Sequence, residues 1–251
     1  MKYKLLFLFL LISVIVFPQN EKLDKTKTDN IQKLIKLFET KDIDGISKIV
    51  NYPLKREYPI PDVQNGTDFK KRFDQIFDSK SINQISTSRI EQWSDVGWRG
   101  IMLDNGVLWI DTDGRIIAFN YQSPFEAHQK QKIILNEKKN LFSTLRQYKL
   151  PVYKFTTQNY LIRIDQLKNG KYRYASWKLG KKESTKPDLV LTNGEISMDG
   201  SGGNHTITFK KGEFNYIIYR KIIGEKASPE IDLTVEQNNK LILQQDGKMI
   251  Q

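Results

Sequence analysis

The stretch WRGIMLDNGVLWIDTDGRIIAFNY, residues 98–121, decides how the first half of the chain is read. Trp98 to Leu103 and Val107 to Ile110 are rich in apolar residues. Asp104-Asn105-Gly106 between them tolerates the positive φ of a tight hairpin. Asp113-Gly114 marks a second turn before Arg115 to Tyr121. The pattern predicts an antiparallel meander of three strands.

Upstream, the apolar spacing switches to the helical period. Ile31, Leu34, Ile35 and Phe38 follow Asp29, a capping residue. Ile43, Ile46 and Ile49 follow Asp42, and Phe69, Phe73, Ile76 and Phe77 follow Thr67. Three helices are therefore expected before the meander. Pro53, Pro59 and Pro61 make the intervening stretch irregular. Ser81 to Arg89 fits neither period clearly.

Downstream, Ser123-Pro124-Phe125-Glu126 is a capping box with proline at the first helical position. It predicts a largely polar surface helix to about Lys138, connecting two domains. After Pro151 the segments become short, β-branched and aromatic: Tyr160 to Ile164, Lys171 to Trp177, Asp188 to Thr192, Glu195 to Met198, Thr206 to Phe209, Phe214 to Ile223, Leu233 to Glu236 and Lys240 to Gln244. Asn169-Gly170, Asn193-Gly194, Lys211-Gly212 and Asn238-Asn239 punctuate them at hairpin spacing. The expected organisation is an α+β domain over 20–122, a connecting helix and linker over 123–150, and an all-β sandwich or small barrel over 151–251.

The first residues read as an export signal over 1–19. Lys2 and Lys4 precede an apolar run from Leu5 to Phe17, broken only by Ser13. The run is too short to span a bilayer, so cleavage between Val16 and Asn20 is expected rather than a permanent anchor. The mature protein would be secreted or periplasmic. Losing Lys2 and Lys4 would take the formal charge from +11 to +9. The basic residues fall in short pairs such as Lys138-Lys139 and Lys181-Lys182. A long basic stripe interleaved with aromatics is missing, which argues against a nucleic-acid partner.

The chain contains no cysteine, which excludes disulfides, thiolate metal sites and thiol nucleophiles. Two histidines, His128 and His205, leave little for a multi-histidine metal centre. Neither a cofactor nor a metal is expected.

Residues from Ile31 to Tyr121 resemble the NTF2-like domains of exported bacterial proteins. The resemblance rests on Asn51-Tyr52-Pro53-Leu54 after two short helices, on Asp68-Phe69 with Phe73 and Ile76-Phe77, on Gly100-Ile101-Met102-Leu103 and on the hairpin ending Leu108-Trp109-Ile110. The C-terminal part is similar to the second part of the same uncharacterised proteins. It shares Leu161-Ile162-Arg163-Ile164-Asp165, Tyr172 to Trp177, Lys186-Pro187-Asp188-Leu189 and Gly200 to His205. The resemblance implies helices packed into a curved sheet, forming a cone. It implies no chemistry, because such folds host enzymes and plain binding modules alike.

Two groups of residues are candidates for function. Trp93, Trp98, Trp109 and Tyr121 are placed to line a pocket in the cone, with Asp95 or Asp111 as the nearest carboxylate for a catalytic base. Aromatics in a curved sheet also serve simply as core, and Asp111-Thr112-Asp113-Gly114 reads better as a turn than as a calcium loop. The second group is the loop Gly200-Ser201-Gly202-Gly203-Asn204-His205, expected to join two strands at one end of the β domain. Ser201 lacks the strand-turn-helix setting of a nucleophile elbow, which leaves a connecting turn or a partner-contact loop of Ser201, Gly202, Gly203, Asn204 and His205. The loop is similar over a few residues to the Ser-Gly loops of exported lysozyme inhibitors, although a basic chain would repel a basic lysozyme. The sequence therefore favours an exported, non-catalytic binding protein for a small molecule or another exported protein. An NTF2-like enzyme and an inhibitor of a cell-wall hydrolase are the alternatives.

Overall fold

The computed structural model describes residues 23–200, 202–222 and 228–250. The expected export signal and Ser201 lie outside the described residues. Among those described, no helix is long and apolar enough to cross a membrane.

Four helices precede the sheet rather than three. Helix α1, Lys25–Glu39, starts at Asp24, whose carboxylate accepts from the Lys27 N–H at 2.8 Å. Its first turn carries no apolar residue, so the periodicity pointed to a later start. Helix α2, Ile43–Lys48, is capped by Asp42 as expected. Helix α3, Gly66–Ile76, is capped by Asn65 two residues before Thr67. Helix α4, Ser79–Ser86, occupies the ambiguous segment and is capped by Asp78.

The meander gains a short strand ahead of it. Strands β1 (Trp93–Asp95), β2 (Ile101–Leu103), β3 (Leu108–Ile110) and β4 (Ile116–Phe119) form one antiparallel sheet in that order. Alternation along the strands decides which face is buried. Trp93, Ile101, Leu103, Leu108, Ile110, Ile116 and Phe119 face the helices and join Leu34, Phe38, Phe69, Phe73 and Phe77 in one core. Phe77 and Phe119 stack at 4.3 Å between ring centroids, tying helix layer to sheet. Trp109 and its cross-strand partner Ala118 turn to the opposite face.

Arg56, from the proline-rich stretch, bonds the Phe119 and Tyr121 carbonyls and pairs with buried Glu126. Glu126 lies in the first turn of α5, Pro124–Asn140, whose N-cap is Ser123. The helix lies along the outside of the C-terminal part, with only Glu126 and Ile134 buried. The segment that follows is packed: Leu141, Leu145 and Tyr148 join Ala175 and Trp177 in a second cluster.

The C-terminal part is a closed barrel, not a sandwich. Its strands are β5 (Leu150–Thr156), β6 (Tyr160–Gln166), β7 (Tyr172–Lys178), β8 (Leu189–Asp199), β9 (Asn204–Lys211), β10 (Phe214–Arg220), β11 (Ile231–Gln237) and β12 (Lys240–Met249). Each pairs antiparallel with the next, and Lys248 and Met249 close the barrel against Thr156 and Phe155. Two expectations change. Asn193-Gly194 is no hairpin but an interruption within β8, which pairs with β7 through its first half and β9 through its second. Asn193 takes φ 60°, and a Cβ on Gly194 would lie 2.3 Å from the Phe209 ring. The glycine lets the strand turn a barrel corner over an aromatic. Strand β5 went unread because Pro151 signals a boundary. The barrel tolerates it because β12 and the residue after it reach β5 only from Lys154 to Thr156, so the missing N–H interrupts no ladder on that side.

Candidate functional site

The turn between β1 and β2 is built to hold one side chain outward. Gly97 and Gly100 take φ values of 63° and 104°, and the Val96 N–H bonds the Gly100 carbonyl at 2.9 Å. A Cβ on Gly100 would sit 2.4 Å from the Ile110 carbonyl oxygen, so only glycine lets the turn lie this close to β3. The Asp95 carboxylate accepts from the Gly97 N–H at 2.9 Å and from the Lys27 ammonium at 2.5 Å. The result is a fixed turn whose central residue, Trp98, is 79% exposed. Large aromatic surface on a rigid support is the usual make-up of a contact residue.

Trp98 is not alone. With Arg99, Trp109 and Asn120 of the sheet, and with Gly202 and Ile222 of the barrel, it lines a cleft of about 490 Å3. The Trp109 indole N–H and the Asn120 amide both donate to the Gly106 carbonyl, at 3.1 and 2.7 Å, which fixes the sheet side. The barrel side is fixed by the Ile222 N–H donating to Asn204 Oδ1 at 2.8 Å. Gly203, at φ 86°, lies against Ile222, and a Cβ there would meet it at ordinary contact distance. Arg99, in the lining and exposed, makes no ion pair among the described residues.

Of the two candidate groups, Trp98, Trp109 and Gly202 line the cleft, Gly203 and Asn204 stand behind Ile222, and Trp93, Tyr121 and His205 are engaged elsewhere. Trp93 faces the helices and donates its indole N–H to Ser88 Oγ at 3.1 Å. Tyr121 donates to Asp78 at 2.6 Å, and this bond to a carboxylate, with some burial, pushes the phenol pKa up to about 12. Asp78 is itself the cap of α4. His205 turns inward and is buried: Gly203 O is 2.7 Å from Nδ1, and the Tyr153 hydroxyl meets Nε2. Both ring nitrogens are thus engaged within the barrel. Asp111 spends its carboxylate on the N–H groups of Asp113 and Arg115, at 3.0 and 2.8 Å.

Arg99, Asn120 and Ile222 were not singled out from sequence. Arg99 could have been found as the neighbour of a tryptophan between two glycines. Ile222 had no such signal, since it meets the sheet only through the tertiary fold.

The turn and its tryptophan should separate cleanly on mutation. Trp98→Ala is expected to change unfolding free energy by less than about 0.5 kcal/mol, as for exposed positions generally. Gly100→Ala should cost about 2 kcal/mol, because the new methyl meets a backbone oxygen and the φ is unfavourable. Urea denaturation of both variants checks this, and a Gly100→Ala protein as stable as the parent would show that the turn is not constrained. No family model, no curated protein and no solved structure matches the chain.

Proposed function

We propose that the chain is an exported, non-catalytic binding protein that captures its target in the cleft between the sheet and the barrel. The single observation that carries this reading is Trp98, held out to solvent on a turn fixed by two glycines and a buried carboxylate. Keeping a large indole exposed is costly in water, and its usual return is contact area on binding. The carboxylates that a chemical step would call on are already engaged: Asp95 with Lys27, Asp78 with Tyr121 and Asp111 with its own turn. The helix layer on one face of an antiparallel sheet is compatible with an NTF2-like domain, and in this reading the binding surface is the outer face of that sheet. The inner face is taken up by the core. Export rests on Lys2, Lys4 and the apolar run after them.

A photoreactive benzophenone side chain at position 98, in protein expressed in its own host, tests the proposal. A matched probe at exposed Leu135 on α5 is the control. Discrete adducts are expected at position 98 and not at position 135, from protein whose N-terminus lies between residues 17 and 21. Equal labelling at both positions would remove the cleft from consideration, and an intact Met1 on cytoplasmic protein would remove export.

A further inference from the structure

An eight-stranded barrel has an interior that side chains can fill or one small ligand can occupy. This barrel does some of each. Its middle is plugged by Phe209 over Gly194 and Phe155 over Gly247, where added Cβ atoms would lie 2.3 and 2.8 Å from the rings. At the end opposite the Trp98 cleft, where β7 finishes and β8 starts, a hollow of about 360 Å3 opens. Its lining includes Tyr160, Tyr174, Tyr216, Leu189 and Leu243. The wall is incomplete on one side. Strand β12 pairs with β11 from Lys240 to Gly247 but with β5 only at Lys248 and Met249. Ile242, on that unpaired stretch, is exposed.

The polar side chains lining the hollow are three tyrosines with Ser176, Lys178 and Asp188. Tyr174 sits in edge contact with Phe209 at 5.8 Å, forming the floor. Burial pushes its phenol pKa up against an opposing hydrogen bond with Ser176, so it stays a neutral O–H. The hydroxyls of Tyr160 and Tyr216 make no hydrogen bond among the described residues. Lys178 pairs across the strands with Tyr160 at the mouth, and its ammonium makes no salt bridge among the described residues. Asp188, itself part of the lining, is held by Lys181 at 2.6 Å and by the Lys178 N–H at 2.8 Å, so its charge is already offset. The mouth therefore sets two lysines, Lys178 and Lys181, against the one carboxylate of Asp188, with phenolic donors above an apolar, aromatic interior.

We infer that this hollow binds an amphipathic monocarboxylate, with its apolar tail between Leu189 and Leu243 and its carboxylate on Lys178 and the Tyr160 hydroxyl. Charge complementarity selects the acid over a neutral amphiphile, and the plugged middle limits the tail to medium length. The site is separate from the Trp98 cleft and stands or falls independently of it.

The test uses the full mature chain and the fluorescent apolar anion 1-anilinonaphthalene-8-sulfonate. The dye should bind saturably, and decanoate should displace it, while acetate, which lacks a tail, should not. Lys178→Ala should weaken decanoate about tenfold and leave methyl decanoate unchanged, the loss expected for one charge-assisted contact. Leu189→Trp should abolish displacement by filling the hollow. Should that variant fail to fold, exposed Lys178 still decides the matter. Trp98→Ala should have no effect. Failure of decanoate to displace the dye, indifference to Lys178→Ala, or loss of binding in Trp98→Ala would each overturn the inference.

Discussion

Asp165→Ala is expected to lower the unfolding free energy by about 3–5 kcal/mol, the usual cost of removing one partner from a buried ion pair. Asp165 lies on the outward face of β6, yet it is fully buried beneath the segment that follows α5. Its two oxygens accept from Arg163 Nε at 2.8 Å and Arg173 Nη2 at 2.6 Å. Arg163 continues to Glu137 on α5 at 2.9 Å and to Glu183 at 3.3 Å, and Arg173 reaches the Leu145 carbonyl at 2.6 Å. Tyr148 lies against both guanidiniums, with its ring centroid 5.0 and 6.0 Å away. Guanidinium stays protonated at any ordinary pH, so without Asp165 the buried Arg173 has no carboxylate partner while Arg163 keeps Glu137 and Glu183. The network also locks α5 and the 141–148 segment onto the barrel. Urea unfolding should show the loss in midpoint, and hydrogen exchange should show faster opening at Leu145 and Tyr148. A loss under 1 kcal/mol would mean that water replaces the carboxylate without difficulty.

Gly194→Ala should cost about 3 kcal/mol, at the upper end of overpacking penalties in a dense core. The added methyl would lie 2.3 Å from Phe209 Cε1 and 2.7 Å from Cδ1. Phe209 has little room to move, since Tyr174 stands against it and both rings are buried. The backbone at Gly194 does not take a positive φ, so the whole effect is steric. That gives a diagnostic: Phe209→Leu should relieve the clash, and the double mutant should be more stable than the sum of the single losses by about 1–2 kcal/mol. Strict additivity would show that the corner is set by the backbone of Asn193 instead.

The same residue marks where sequence reasoning reached its limit. Asn-Gly between two apolar runs is the strongest short hairpin signal. A barrel corner uses the same chemistry, because it too needs a positive φ and a missing side chain. Only the partner strands distinguish the two, and these are set by tertiary pairing. The meander at 98–121 was legible because its turns are local. Strand β1 was not, because three residues carry no period, and α4 was not, because its buried face is only Ser81 and Ile85. Leu161-Ile162-Arg163-Ile164-Asp165 reads as a strand with a wet face. That face is covered by residues 141–148, which nothing in the local pattern announces. At the cleft, Trp98 and Gly202 were each visible as unusual. Their meeting across a hundred positions of chain was not.

The seam between β12 and β5 sets the order in which the barrel can be made. Its first strand and its last are neighbours, joined by Lys248 and Met249 opposite Thr156 and Phe155 and by the Ile250 N–H on the Lys154 carbonyl at 2.8 Å. Until residue 249 has been synthesised and delivered, β5 has no partner on that side, and the barrel remains an open, curling sheet. Closing a ring through contacts so distant in sequence is slow compared with forming the hairpins between successive strands. The core of the N-terminal helices and sheet needs no such wait, because every residue in it lies upstream of the barrel. Under the export proposed above, the N-terminal core can form before the barrel closes, since closure waits for residue 249. In the interval the apolar inner face of the open sheet is exposed, and holding the chain from its neighbours then matters more than at any later time.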